Sequence, residues 1–340
     1  MTVLESYFRK AILLLIIISA VLALFSSLSN AHFVLYDANL FLLALACILF
    51  IFSVIIWLFS WSYLIKKHIK LNFRKSIAAG VASFYGSLTP VQIGAEALRA
   101  INLKKIYGVS YSESISASMV AKGAKFFVIG IFAGLLLFFY VLGSKADLPL
   151  MLSYSSGFFV IALACLLFLL PMNKKTGLAM AKLFKSISEI KPLHMQFLSK
   201  LSGFFESYSE YLSRTSLTTL AIVFMLCLFS WFLEIAALYF SFASLSIYLP
   251  LQQIFIFATL VAVLERNPIL PRGIGLVEVI GYYFLAMPSL LGGVALKSAE
   301  IVAALIVYDF VRLILPTIAS IAVSYPLLEM LEKQESRTSS

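Results

Sequence analysis

Two stretches of this chain break otherwise apolar sequence in the same way. One runs Ser87-Leu-Thr-Pro-Val-Gln-Ile-Gly-Ala-Glu-Ala-Leu-Arg99, the other Asn267-Pro-Ile-Leu-Pro-Arg-Gly-Ile-Gly-Leu-Val-Glu278. Each places a proline (Pro90, Pro271), a glycine four residues on (Gly94, Gly275) and then a glutamate (Glu96, Glu278). Proline removes a backbone donor and glycine loosens a helix, so each stretch interrupts one. In lipid an interruption survives only where protein or a water-filled cavity covers the freed backbone groups. Two such breaks point to a binding site, not to a lipid-facing wall. The prolines and the glutamates recur at nearly the same interval, which predicts an internal repeat.

The membrane setting follows from a mean hydropathy of +1.01, with 62% hydrophobic and only 12% charged residues. These values exclude an ordinary soluble domain. Within 340 residues, and with no long polar stretch at either end, no room is expected for a separate soluble catalytic domain. The net charge of +10 does not indicate nucleic acid. The cations crowd short loops beside apolar runs, where they report topology. Cys47, Cys165 and Cys227 sit inside apolar runs and read as packing residues, not as a disulfide framework. His32, His68 and His194 have no ligand spacing, and no phosphate-binding glycine loop or catalytic triad signature is present, so no metal or other cofactor is expected.

In chain order, Ala11 to Leu28 reads as an uncleaved first span entering from the cytoplasm. Leu40 to Leu64 returns inward, ending in Trp57, Trp61 and Tyr63 at interface depth. Ser76 to Leu103 is flanked by cations at both ends, so it must enter and leave on the same side. A re-entrant hairpin broken at Pro90 meets that requirement, because each half reaches only roughly 20 Å, short of the ~30 Å needed to cross. Glu113 to Val141 crosses outward and Leu150 to Leu170 crosses back. Residues 173–216 form the one polar, basic segment, where Phe197, Leu201, Phe204, Phe205, Tyr208 and Leu212 recur at helical spacing; it reads as one or two amphipathic helices on the inner membrane surface. Leu217 to Ala243, with the buried-looking Glu234, crosses outward, and Leu251 to Leu264 with Ile274 to Met287 forms a second broken pair entered from outside. Ser298 to Tyr325 is the last span, and 332–340 is a polar tail.

Counted this way, the outer loops hold only Lys145 and Lys297 of 26 cations, which places both termini in the cytoplasm of a cell-membrane protein. Span, hairpin and span (40–141) recur in the opposite sense as span, hairpin and span (217–325). The expected fold is therefore an all-α polytopic membrane protein of six full spans and two re-entrant helical hairpins in an inverted-topology repeat, a plan in which half-helix ends meet near the midplane.

Arg99, Lys122, Lys125, Arg266, Arg272 and Arg312 lie within apolar segments, as do Glu96, Glu265, Glu278 and Asp309. Each costs at least ~2.5 kcal/mol at the bilayer centre and so requires an interior partner or a hydrated cavity. A structural reading pairs Lys125 with Asp309, Arg99 with Glu96, and Arg266 with Glu265 or Glu278, while Asp309 and Arg312 share a helix face. A functional reading turns Arg99, Lys122 and Arg272 into a crevice that holds a headgroup phosphate.

At these residues the chain resembles the lysylphosphatidylglycerol synthase transmembrane-region family of flippase-like membrane proteins. Thr89, Pro90 and Arg99 match its Thr-Pro-Gly-x-x-Gly-Glu-x-x-Arg stretch, and Pro271, Gly273, Gly275 and Glu278 match its late Pro-x-x-Gly-Gly-x-Gly-x-x-Glu stretch. The pattern departs at Gln92 and Ala95, with the acid displaced to Glu96, and at Ala121 and Lys122, where Glu-Arg is usual. Lys125 falls near an expected acid and Asp309 near an expected arginine, which implies a charge pair exchanged between spans. The resemblance implies translocation of an anionic or headgroup-modified lipid, phospholipid or polyprenyl-phosphate-linked, between leaflets. The substrate-binding candidates are then Thr89, Pro90, Glu96, Arg99, Lys122, Arg272, Gly273, Gly275 and Glu278. The alternative is a membrane-embedded component or enzyme of lipid-linked sugar or aminoacyl-lipid metabolism. Enzymatic activity is not expected of this chain, and its expected partners are a membrane lipid, a soluble lipid-modifying enzyme at the polar segment, and a second copy of itself in a homo-oligomer.

Overall fold

The computed structural model describes residues 30–66, 72–88, 93–142, 159, 162, 174–189, 196–265, 270–286 and 294–324. The expected first span, nearly all of the span at 150–170, the polar tail, and Thr89, Pro90 and Arg266 lie outside them. In chain order the elements are α1 (Ala31–Tyr36), α2 (Leu40–Lys66), α3 (Phe73–Ala82) with a 3₁₀ turn (Phe84–Leu88), α4 (Ile93–Tyr107), α5 (Tyr111–Leu142), α6 (Lys174–Ser188) and α7 (Gln196–Ser213). They continue with α8 (Leu217–Ala243), α9 (Leu251–Leu264), a 3₁₀ turn (Pro271–Gly273), α10 (Leu276–Ala286) and α11 (Ser298–Ser324).

Length divides these helices into two kinds. α2, α5, α8 and α11 are long and apolar enough to cross a membrane. A 27-residue helix such as α2 or α8 rises about 40 Å, more than the ~30 Å hydrocarbon core. By contrast α3, α9 and α10 contain 10, 14 and 11 residues and none alone rises more than about 21 Å.

α2 and α8 lie against each other along their length, and small polar residues let them approach. Ser230 Oγ donates to the Ser53 carbonyl at 3.0 Å, and Ser53 Oγ lies 3.4 Å from Ser230 Oγ. Such residues at helix interfaces allow close backbone packing where lipid gives no hydrophobic drive for association. Trp231 stacks on Phe132 at 4.6 Å between ring centroids and brings α5 onto the same seam.

The first break is held by the last span. After α3 the chain tightens into Phe84–Leu88, where the Tyr85 N–H donates to Ser320 Oγ at 3.0 Å and Ser324 Oγ donates to the Ala82 carbonyl at 2.8 Å. Side chains of α11 thus satisfy backbone groups that the break leaves without helical partners. A Cβ on Gly86 would sit 2.6 Å from the Gly94 carbonyl carbon, so only glycine lets the turn touch the start of α4.

The second break folds back on α9. Gly273 has φ +65° and an added Cβ would meet the Leu264 carbonyl oxygen at 2.7 Å, so its backbone rests on the last turn of α9. Arg272 beside it adopts φ 49°, ψ 28°, a left-handed conformation unusual for a residue with a side chain. The Arg272 guanidinium stands 5.0 Å from the centroid of the Phe84 ring, so the two breaks face each other.

The polar segment forms α6 and α7, as its helical spacing predicts. Phe184 stacks on Phe205 at 5.1 Å, and Phe205, Tyr208 and Leu212 are buried. These three residues of the apolar stripe therefore meet protein, in a core shared with α5 and α8, and not a lipid surface.

Candidate functional site

Between the two breaks lies a cavity of about 70 Å³, room for several water-sized groups. α2 contributes Trp57, the first 3₁₀ turn Phe84 and Ser87, and α4 Glu96 and Arg99. Lys122 and Lys125 come from α5, Glu234 from α8, Glu265 from the end of α9, Arg272 from the second turn and Tyr308 from α11. Charged residues dispersed across more than 170 positions of sequence converge on one small volume inside an apolar bundle.

The first half supplies a cation-rich edge. Glu96 Oε1 lies 3.1 Å from Lys122 Nζ and 3.6 Å from Arg99 Nη2, so one carboxylate serves two cations. Arg99 is 1% exposed, and its guanidinium packs 4.6 Å from the Trp57 ring centroid and 5.6 Å from that of Trp61. A cation over an indole face is favourable, but the ring offers no hydrogen-bond acceptor. Arg99 Nε and Nη1, Trp57 Nε1 and Ser87 Oγ have no hydrogen-bond partner among the described residues, and neither does Glu96 Oε2. Three residues with buried donor atoms to spare, beside one spare acceptor atom, suit an oxygen-rich anion. Unmade hydrogen bonds of this kind cost ~1–3 kcal/mol each, and a ligand that accepts them recovers that.

Next to it, Lys125 Nζ and Glu234 Oε1 form an ion pair at 2.5 Å, and Ser53 Oγ donates to the same carboxylate at 3.0 Å. This corrects the expected partner of Lys125. Asp309 instead belongs to Arg312 on its own helix, whose Nε and Nη2 donate to Asp309 Oδ1 at 2.7 and 2.6 Å. No charge pair exchanged in sign between the spans is needed, because α8 supplies an acid nearer to Lys125.

Behind the cavity, Arg312 gathers the second half. It is fully buried on a π turn, Phe310–Ile314, within α11. Single π turns inside long helices are frequent at functional sites. Arg312 Nη1 donates to Glu265 Oε1 at 2.9 Å and Nη2 to Glu278 Oε1 at 2.9 Å. Arg272 Nη1 donates to the Arg312 carbonyl at 3.0 Å, and Arg272 Nη2 lies 3.5 Å from Glu265 Oε1. Glu265 and Glu278, expected to take Arg266, are thus engaged by Arg312, and Arg266 lies outside the described residues. The second oxygen of Glu278 accepts the Gly275 N–H at the start of α10, where φ +86° at Gly275 sets the entry of the helix.

The structure therefore brings Glu96, Arg99, Lys122 and Arg272 to the cavity, and places Gly273, Gly275 and Glu278 in the turn and helix start behind it. Sequence reasoning passed over Trp57, Trp61, Glu234 and Tyr308. The two tryptophans read as interface anchors because an aromatic near a span end does not declare which way it faces. Glu234 carried a signal, an acid in the middle of a span, but no sequence neighbour to pair with.

A family model described as the lysylphosphatidylglycerol synthase TM region matches residues 12–320. The chain is 26% identical over 260 residues to a UPF0104 membrane protein of Methanothermobacter thermautotrophicus, covering 72% of each chain. It is 23% identical over 288 residues to a UPF0104 membrane protein of Pyrococcus horikoshii, covering 80% of this chain and 85% of that one. No solved structure matches it.

Proposed function

The chain belongs to the lysylphosphatidylglycerol synthase transmembrane-region family, and from that premise we propose that it carries an anionic lipid between leaflets, acting as a carrier and not as a catalyst. The headgroup phosphate sits in the cavity between the two breaks, against Arg99 and Lys122, while the acyl chains stay in the bilayer. The observation that carries this reading is the Arg99 guanidinium, 1% exposed, with two N–H groups lacking partners among the described residues at the edge of a cavity. Burying such a group without an acceptor is costly unless something arrives to accept from it.

In the same reading, α3 and α4 form a hairpin that enters from the cytoplasmic face, and α9 and α10 one that enters from the other. Together with six spans they make an inverted-topology repeat, with both termini in the cytoplasm of the cell membrane. Alternating access then amounts to rocking one half against the other around the Phe84–Arg272 contact.

The test is leaflet exchange of fluorescent nitrobenzoxadiazole-phosphatidylglycerol in liposomes reconstituted with the full chain, read by dithionite bleaching. Wild-type protein exposes the inner-leaflet probe, and Arg99→Ala slows exchange at least about tenfold, the equivalent of ~1.4 kcal/mol. Equal rates in the two proteins, or no exchange above protein-free liposomes, would refute the proposal.

A further inference from the structure

The atoms without partners around Arg99 include an acceptor as well as donors, and a phosphate answers only the donors. Arg99 Nε and Nη1, Trp57 Nε1 and Ser87 Oγ are buried and unpartnered among the described residues, and so is Glu96 Oε2. All four residues line the cavity. Glu96, Arg99 and Trp57 adjoin, since Glu96 Oε1 lies 3.6 Å from Arg99 Nη2 and the Arg99 guanidinium lies 4.6 Å from the Trp57 ring centroid. Glu96 is 3% exposed, so bulk water does not serve its second oxygen. The oxygens of a phosphodiester accept from Arg99 but have no proton to give, and an ionised carboxylate only accepts. Phosphate alone therefore leaves Glu96 Oε2 unmet, and a buried acceptor without a donor is costly.

We propose that Glu96 is the specificity-determining residue of this site: its Oε2 accepts from a hydroxyl that the headgroup carries beside its phosphate, and the substrate is a phosphodiester of a polyol. This rests on the carrier reading above and narrows its substrate class. A hydroxyl fits the remaining atoms where an ammonium does not. It donates to Glu96 Oε2 and also accepts, which meets Ser87 Oγ or Trp57 Nε1, a group that can only donate. An ammonium donates only and leaves the indole N–H as it stands. It also gives up a tighter hydration shell on entering a cavity walled in part by Phe84, Phe126 and Trp231. Size points the same way. About 70 Å³, room for roughly five water-sized groups, admits a compact headgroup such as glycerol and not a long aminoacyl arm. Glu96 is held for this task before the ligand arrives, in the first turn of α4 and with Oε1 3.1 Å from Lys122 Nζ. The oxygen that reads the hydroxyl is thus preorganised.

The test uses the full chain in detergent with dioctanoyl lipids, and binding is read by the fluorescence of Trp57, Trp61 and Trp231, the chain's three tryptophans, which lie at or beside the cavity. Phosphatidylglycerol is compared with phosphatidylpropanol, which differs from it only in lacking both headgroup hydroxyls. The wild-type protein should bind phosphatidylglycerol at least about tenfold more tightly, with phosphatidylethanolamine no better than phosphatidylpropanol. In Glu96→Gln, Lys122 and Arg99 hold the amide oxygen and an amide N–H takes the place of Oε2, so the two lipids should bind within about twofold of each other. A structural role alone would weaken both alike, and a preference that survives Glu96→Gln overturns the assignment. Equal binding of the two lipids in the wild type, both weakened by Arg99→Ala, overturns the hydroxyl subsite and leaves the carrier reading intact. Phosphatidylethanolamine bound more tightly than phosphatidylglycerol overturns it too, since the acceptor then takes an ammonium. If no lipid binds, the carrier reading fails, and the subsite is decided with water-soluble glycerol phosphate against propyl phosphate. A preference of about tenfold for the first keeps the subsite for a free polyol phosphate; equal or absent binding overturns it. If Glu96→Gln is not recovered folded, the wild-type comparisons still decide.

Discussion

Replacing Arg312 by methionine keeps a long apolar side chain and removes the charge that organises the second half of the molecule. The guanidinium is fully buried and donates to Asp309 at 2.7 and 2.6 Å, to Glu278 at 2.9 Å, to Glu265 at 2.9 Å and to the Arg272 carbonyl at 3.3 Å. Individual charge-assisted bonds are worth ~1.5–3 kcal/mol each, but they act as one network and do not add. The better guide is the cost of removing one member of a buried ion pair, ~3–5 kcal/mol, since the three carboxylates lose the guanidinium on which they converge. At about 2 °C per kcal/mol for a chain of this size, Arg312→Met should lower the midpoint of thermal unfolding by roughly 6–10 °C. The assay is loss of the monodisperse peak on size exclusion after heating in detergent. Removing Asp309 as well, in Arg312→Met/Asp309→Leu, takes away the buried carboxylate that the first change strands and should recover more than half of the loss. A single variant within about 2 °C of wild type, or a double variant less stable than the single one, would refute the reasoning.

Other perturbations probe the remaining joints. Gly273→Ala incurs both a left-handed backbone penalty of ~1–2 kcal/mol and a clash with the Leu264 carbonyl at 2.7 Å, while Gly275→Ala incurs only a backbone penalty because nothing lies within 4 Å; thermal unfolding should rank Gly273→Ala as the more damaging. Lys125→Met leaves Glu234 with Ser53 as its remaining described partner, and should destabilise by ~3–5 kcal/mol, with most of it regained in Lys125→Met/Glu234→Leu. In a cysteine-free background, Ser110→Cys and Ser246→Cys lie in the connections after α4 and after α8. An impermeant maleimide should label them from opposite faces of membrane vesicles, and labelling from one face would contradict the proposed orientation.

Much of this arrangement is legible in the sequence, because lipid allows few solutions. Apolar runs of spanning length gave α2, α5, α8 and α11, and Gly94 and the Pro271–Gly275 stretch marked where helices stop or start. Charged residues in apolar sequence were correctly expected to need interior company. What period and charge cannot reveal is which residues share a helix crossing. Lys125 meets Glu234 across 109 positions, and Arg312 meets Glu265 across 47, so the pairing belongs to packing and not to local pattern. The rotation of a span is equally silent. Trp57 looked like a boundary residue until α2 turned it toward Arg99. The buried stripe of α7 could not be told from a membrane-facing one, since protein and lipid select the same residues.

The most direct trial of the carrier account is a density map of the protein in nanodiscs containing phosphatidylglycerol. A phosphate should occupy the cavity within hydrogen-bond reach of Arg99 Nε and Nη1, with its acyl chains leading out between the halves, and it should vanish in Arg99→Ala. A cavity holding only water in both proteins, with lipid confined to the outer surface, would contradict the account.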